Sequence, residues 1–533
     1  MASVGALASV LLASCTSNPT NTGNTATTPQ KGGTLTLALS AGWDVLDPAA
    51  TAFTFSRQIM QFIYDPLLAR DPKSSQIVPG LAQSFNVSPD GTTITLKIRP
   101  GVKFHDGTSC DAAAVAYSLN RIQDPALKSP MAAQISGPVS SITATDSSTV
   151  FIVLKKPFAP FLDSLTQVSL APVSAAAVSK YGKDFGSHPV GTGPFKFEST
   201  VPNDNVVLVR NPDYNWAPSF FQHQGAAYLD KVVIRNVPED ATRMALEQAG
   251  TIDVVYAPVV SQLPQYQNDK KFYVVQATRP GMPRSFILNT TTWPFNDLKT
   301  RQAVAYAINK GQILQTAYGN IGSVADSIVT PNLFGYSKTA ADTTAKFDVD
   351  KAKKALADAG WSPGSDGILV KDGKKFSITY GSQSTTTFNI QDQILQANLK
   401  AVGIDLKIET EEQAAILADI RKGKWPMATM LFAATDPDVT YTILYSKSIG
   451  SAWNTARYSN PDMDTLLDQG RTELDQTKRA VIYEKVQKIV AQDVPYIPYY
   501  NIKNPYIVNA RVHNFGYDIQ AFWVLYDTWV TSS

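Results

Sequence analysis

Two cysteines and four histidines among 533 residues leave little material for metal or disulfide chemistry. A zinc site draws four ligands from clustered Cys and His side chains. Here Cys15, Cys110, His105, His188, His223 and His513 are scattered, so no such cluster can be assembled from sequence neighbours. A disulfide scaffold is excluded unless the two cysteines pair with each other. Charge is equally sparse: charged residues make up 17%, with 47 Lys and Arg against 45 Asp and Glu, for a net charge of +2. A balance that close gives no electrostatic grip on a polyanion, so nucleic acid is set aside as the main partner. No apolar run reaches the roughly 18 residues of a membrane-spanning helix. The H-E-x-x-H and Walker phosphate-loop signatures are also missing. What remains is a chain with 44% hydrophobic and 10% aromatic residues, ample for a buried core. At roughly 150 residues per domain, its length predicts three to four domain-sized units.

The first thirty residues read as an address rather than as fold. Val4 to Ala13 is a short apolar stretch, and Leu12-Ala13-Ser14-Cys15 resembles the lipobox of a bacterial lipoprotein signal. Residues 1–14 are then a signal peptide, and the Cys15 thiol carries a lipid. One feature departs from the pattern: no Lys or Arg precedes the apolar stretch, where signal peptides carry positive charge. Thr16 to Gln30 (TSNPTNTGNTATTPQ) is uncharged and without apolar periodicity, as expected of a flexible tether over 15–30.

Folding signals begin at Lys31. Thr34 to Leu39 (TLTLAL) alternates polar and apolar residues, which predicts a half-buried strand. A second β region runs from Gln83 to Asp106, divided by the turns Pro89-Asp90-Gly91, Pro100-Gly101 and Asp106-Gly107. Within it Ile94, Leu96 and Ile98 share one face. Asp111 predicts the cap of a helix that presents Val115, Leu119 and Ile122 together. Asp348 to Gly360 predicts a helix with Ala352, Ala355, Leu356 and Ala359 on one side. The stretch from Gly367 to Tyr380 predicts a hairpin about Asp372-Gly373, followed by a helix through Ile390, Leu395 and Leu399 and a strand from Ile404 to Ile408. Helices and strands interleaved in this way predict an α/β fold with sheets covered on both faces.

The run Leu81-Ala82-Gln83-Ser84-Phe85, Ser88-Pro89-Asp90-Gly91 and Arg99-Pro100-Gly101-Val102-Lys103-Phe104-His105-Asp106-Gly107-Thr108 resembles the family 5 extracellular solute-binding proteins of bacterial ABC importers. Pro189-Val190-Gly191-Thr192-Gly193-Pro194-Phe195, Arg210-Asn211-Pro212-Asp213-Tyr214, Ala359-Gly360-Trp361 and Asp436-Pro437-Asp438 continue the resemblance, which spans about residue 32 to the C-terminus. It implies a two-lobed periplasmic-binding-protein-like fold of type II, in the large cluster with an additional subdomain. Lobe I would comprise 31–281, with the subdomain at about 79–188, and lobe II 282–496, with the chain returning to lobe I over 497–533. Hinge crossovers would lie near Arg279 to Arg284 and Pro495 to Asn501.

The resemblance also places candidate ligand-binding residues. Trp43, in the polar loop Ser40 to Asp47, either stacks on a ligand or packs into the core. Phe432-Ala433-Ala434-Thr435-Asp436 matches the segment where peptide receptors hold the ligand's ammonium with an Asp, which makes Asp436 the candidate ammonium ligand, with helix capping as the alternative. Dipeptide receptors carry an Arg in the loop after the hairpin strand, pairing with the ligand carboxylate, but here that loop, Gly381 to Asn389 (GSQSTTTFN), has no Arg or Lys. Ser382, Gln383 and Thr385 would offer neutral hydrogen bonds instead, and Arg284 is the nearest basic substitute. Trp453 and Asn454 lie in a loop able to close over a ligand. Phe104-His105-Asp106-Gly107 is a hairpin turn in the family rather than a catalytic pair, and Gly191-Thr192-Gly193 lacks the Lys-Ser/Thr of a phosphate loop. No cofactor and no metal are expected.

The function so implied is a monomeric, lipid-anchored receptor on the outer face of the bacterial cytoplasmic membrane or in the periplasm. It would capture a peptide-like or other small-molecule solute and pass it to an ABC permease and ATPase complex. An oligosaccharide or other neutral solute is the alternative cargo. A secreted hydrolase using paired carboxylates is the distant competitor.

Overall fold

A computed structural model describes residues 28–531, apart from 52, 126, 130–138, 257, 259–261, 384 and 451–452. The signal peptide 1–14, Cys15 and most of the tether lie outside the described residues.

The strand Thr34–Leu39 shows why the first lobe folds as it does. Leu35, Leu37 and Leu39 enter one apolar cluster, while Ala38 enters another on the opposite face with Ile252, Val255 and Ile507. The expectation of a half-buried strand holds at Thr34, which is exposed, and Thr36, which is partly so, and is corrected at Ala38, where Met244, Leu263 and Tyr266, from helices Asp240–Gln248 and Leu263–Asn268, cover the second face. The strand runs parallel to Lys231–Asn236 on one side and Val254–Tyr256 on the other, in the middle of a seven-stranded sheet. Lys503–Asn509, from the far end of the chain, inserts antiparallel between Val254–Tyr256 and Phe272–Thr278. Both ends of the sequence thus build one lobe.

Within the expected subdomain, Ala82–Val87, Thr93–Ile98, Thr149–Leu154 and Val139–Ala144 form a four-stranded antiparallel sheet. Ile94, Leu96 and Ile98 are all buried, and the helix Ala112–Ile122 is capped by Asp111, whose carboxylate accepts from the Ala114 amide at 3.0 Å. His105 is half-buried, its Nε2 3.0 Å from the Gly193 carbonyl oxygen. Gly191 and Gly193 are needed for backbone proximity: a Cβ on Gly191 would lie 2.2 Å from the Ile63 carbonyl oxygen.

The second lobe is a six-stranded sheet, in the order Ser323–Val324, Tyr496–Asn501, Gly281–Leu288, Met427–Ala433, Ser377–Gln383 and Asp405–Glu411. Phe286, Tyr380 and Tyr499 lie on one face with Leu395 and Leu399, while Met282, Ile287 and Met430 lie on the other with Ile443 and Val486. The expected hairpin over 367–380 is only partly formed. Leu369–Lys371 pairs with Lys374–Lys375, but Ser377–Gln383 leaves to run parallel to Asp405–Glu411 in the main sheet. The buried Phe376, stacked on Trp361 with ring centres 4.3 Å apart, diverts the chain there.

The chain crosses between the sheets at Arg279–Pro280 and again at Ile502, and the Arg279 amide donates to the Ile502 carbonyl oxygen at 3.0 Å. The second crossing thus falls just beyond the expected 495–501, and the sheet of lobe II extends past 496. Every residue of Tyr496–Asn501 is buried, which is the pattern of an interior strand rather than of an exposed linker.

Burial, the dominant cause, lowers the His105 pKa from 6.5 to about 4, although its bond to Gly193 opposes the shift. A pKa depressed on folding means stability present above pH 6.5 and lost as the pH falls toward 4. Between pH 7.5 and 5 His105 should therefore contribute a loss of about 2 kcal/mol. Denaturant titrations at both values should show a smaller loss in His105→Gln than in the wild-type protein; equal losses would contradict this.

Candidate ligand-binding site

The helix Thr54–Ile63 packs Ile59, Met60, Phe62 and Ile63 into lobe I and turns Thr54, Arg57 and Gln58, at positions i, i+3 and i+4, toward lobe II. These three form one wall of an interlobe cavity of about 610 Å³. Asp163, Ser164 and Gln167 extend that wall, and Gln520 and Phe522 add the returning C-terminal segment. The hinge contributes Arg279 and Pro280. Opposite them, lobe II presents the end of the strand Met427–Ala433 and the turn after it, with Trp453, Arg421 and Arg471.

A buried hydroxyl joins the two lobes. Thr435 Oγ1 donates to Asp163 Oδ2 at 2.6 Å and accepts from Gln167 Nε2 at 2.9 Å, and all three side chains are buried. Beside this contact the Ala159 amide donates to the Arg471 carbonyl oxygen at 2.7 Å.

Each carboxylate in the cavity wall is held by a guanidinium. Asp163 pairs with Arg70, Asp436 with Arg479, and Asp438 with Arg471. Burial raises the Asp163 pKa, Arg70 opposes it, and Asp436 across the lobe boundary adds to it. Burial also works against the charge of Asp436, yet Arg479 holds its carboxyl below the usual range. Arg57 has no such partner. It donates to Gln167 Oε1 at 2.9 Å and to Gln520 Oε1 at 2.8 Å, and burial lowers it to about 10 against the pull of Asp518.

Residues 76–452 match bacterial extracellular solute-binding proteins, family 5. The chain belongs to that family. It is 30% identical over 504 residues to the glutathione-binding protein GsiB of Escherichia coli strain K12, covering 92% of each chain. DppA of Helicobacter pylori, in complex with the peptide STSA, superposes with a TM-score of 0.74 at 27% identity, over 94% of this chain and 98% of that one. CtaP of Listeria monocytogenes has a TM-score of 0.81 at 23% identity, over 94% and 100% of the two chains, a likeness of fold. As a family 5 protein the chain is a solute-binding receptor for ABC import and not an enzyme.

The family 5 receptor brings only some of the expected residues to its cleft. Phe432, Ala433, Thr435, Asp436 and Trp453 line the cavity, with Phe432 and Trp453 edge to face at 5.7 Å. Asp436 is already engaged within the protein: Arg479 donates to both its oxygens, at 2.5 and 2.7 Å, and the Asp438 amide donates to Oδ1 at 2.9 Å. Trp43 packs against the lobe I core. Arg284 lies outside the lining, its guanidinium 4.8 Å from the centre of the Phe388 ring. Ser382 is buried within the lobe II sheet and Gln383 ends the same strand. Thr385 caps the helix Thr386–Lys400 by accepting from the Phe388 amide. Asn454 staples its own loop, donating to the carbonyl oxygens of Tyr445 and Tyr458. None of the four histidines lines the cavity, and His223 is paired with Asp527 at 2.7 Å. Gly360-Trp361-Ser362-Pro363-Gly364 has the spacing of a nucleophile elbow, but Ser362 stands in a two-residue exposed strand and its hydroxyl donates to the Val370 carbonyl oxygen at 3.4 Å.

The sequence reading missed Arg57, Gln58, Asp163, Gln167 and Arg421. The polar side of the Thr54–Ile63 helix was a signal available for Arg57 and Gln58; for Asp163 and Gln167, partnered across 272 and 268 residues, no local signal exists.

Thr435→Val would leave Asp163 and Gln167 facing a methyl group in the closed form. Loss of those buried bonds should cost about 1–3 kcal/mol of closure. Small-angle X-ray scattering should show a larger radius of gyration for the unliganded variant, and an unchanged radius would contradict the latch.

Proposed function

We propose that this receptor captures a short peptide-like solute between its lobes and delivers it to an ABC permease. The observation that carries the reading is the interlobe cavity of about 610 Å³, lined by the side chains of Gln58, Gln167, Ser164 and Gln520 together with Phe432, Trp453 and Phe522. Its volume is that of a pocket for a small molecule, which suits a short peptide better than a long one. Amide and hydroxyl side chains can satisfy peptide N–H and C=O groups, while aromatic faces take apolar side chains. The names of the relatives agree: GsiB is a glutathione-binding protein, and DppA is described with the peptide STSA. Phe432, Ala433, Thr435 and Trp453 are the expected residues assigned here to ligand contact. Asp436 is assigned to positioning the turn that carries Thr435.

Hinge closure at Arg279–Pro280 and Ile502 is the movement a ligand would bias, by binding the closed state better than the open one. In this proposal the receptor acts as a monomer. A lipid on Cys15 holds it at the outer face of the membrane, and the tether gives it reach toward the permease.

Native mass spectrometry of protein purified under gentle conditions should reveal co-purifying masses spaced by amino-acid residues. A single sugar-sized mass would overturn the peptide reading. Metabolic labelling with a fatty-acid analogue should mark the wild-type protein and not Cys15→Ser; equal labelling would contradict the anchor.

A further inference from the structure

The charges lining the cavity do not cancel. Asp163, Asp436 and Asp438 are each engaged by Arg70, Arg479 and Arg471. Three more guanidinium groups, those of Arg57, Arg279 and Arg421, face the same space. Among the described residues none of these three has a carboxylate within salt-bridge distance. Arg421 lies over the face of Trp453 at 4.9 Å, and Arg57 over Phe522 at 5.4 Å. Arg57 is bound by two neutral amide oxygens, and its Nε is buried with no partner. Asp518 is the nearest acid to it, but its oxygens accept from Gln61 Nε2 and from the Gln520 and Phe522 amides rather than from Arg57.

Arg57 and Arg279 both line the cavity, Arg279 disfavours the charge of Arg57, and Arg284 disfavours that of Arg279. Two like charges withdrawn from water without a counter-ion are unfavourable, and an anion brought between them relieves both desolvation and repulsion. Their positions differ in a useful way. Arg57 sits on a rigid lobe I helix, whereas Arg279 stands at the crossing where its amide is bonded to Ile502.

We propose that the solute is acidic, with a carboxylate seated between Arg57 and Arg279, so that neutralising the hinge guanidinium favours closure. The proposal rests on the interlobe cavity being the ligand site, and it refines the peptide reading by requiring net negative charge. It also reverses the electrostatic sense expected from the Asp436 segment: the receptor selects for an anion rather than for an ammonium group.

Isothermal titration calorimetry would compare Ala-Ala-Ala-amide, Ala-Ala-Ala and Ala-Glu-Ala, and in parallel galactose and galacturonate. In the wild-type protein the acidic member of a set should bind at least tenfold more tightly than its neutral counterpart, and Arg279→Gln should abolish that preference. Thermal unfolding provides a readout that a merely structural arginine would not share. Unliganded Arg279→Gln should melt at or above the wild-type temperature, since it removes a partly buried charge without a carboxylate partner among the described residues, and Arg279→Lys should retain part of the preference. If only galacturonate binds, and does so through Arg279, the peptide reading falls while the acidic-solute proposal stands. Neutral probes binding as tightly as acidic ones, no acidic probe binding at all, or an Arg279→Gln variant that melts well below wild type would overturn it.

Discussion

Two peptide crossings, joined by the hydrogen bond from the Arg279 amide to the Ile502 carbonyl oxygen, are the constraint on which the binding site depends. Each lobe has its own sheet, apolar on both faces, and interiors packed at crystal-like density resist deformation. Motion is therefore concentrated where strands leave one sheet for the other. Because Phe272–Thr278 and Gly281–Leu288 belong to different sheets with only two residues between them, a small change of backbone angle at Arg279–Pro280 turns an entire lobe. The hinge side chains line the cavity as well, so whatever binds there acts on the joint directly.

Closure needs specificity as well as freedom. Thr435 supplies it by joining Asp163 and Gln167 with one hydroxyl, used once as donor and once as acceptor. Such a contact is favourable only if the groups around it are already compensated, because a half-satisfied buried network is worse than an apolar surface. The flanking pairs meet that condition. Arg70 pairs with Asp163 on one lobe and Arg479 with Asp436 on the other, which offsets most of the repulsion that Asp436 still exerts on Asp163 across the boundary.

Local order was legible in the sequence because its causes are local. Asp111 and Asp348 cap helices, and Ile94, Leu96 and Ile98 bury one face, since period and capping chemistry fix those outcomes within a few residues. The two-lobed architecture was legible from motif resemblance and not from periodicity. Ala38 illustrates the limit: a small residue in a period-two pattern says nothing of whether helices will cover the second face, and here they do. Phe376 diverted a predicted hairpin for a similar reason, since its partner Trp361 belongs to an earlier element. At the cavity wall, the segment Phe432 to Asp436 was pointed to by resemblance and Trp453 by its place in a loop, while Thr385 and Asn454 had polar groups that the backbone claimed for caps and loop staples.

Asp436 separates the address of a site from its chemistry. Its motif places it at the cavity wall, where a receptor for a cationic group would use its charge. Recognition, however, depends on the charge still uncompensated after folding, and that is decided by Arg479, 43 residues further along the chain. The same reasoning gives Arg57 and Arg279 their weight. Neither belongs to the matched cleft segment, yet both reach the cavity without a carboxylate partner among the described residues. On the acidic-solute proposal, the preference of this receptor follows these unpaired guanidinium groups rather than the motif that marks the cavity wall.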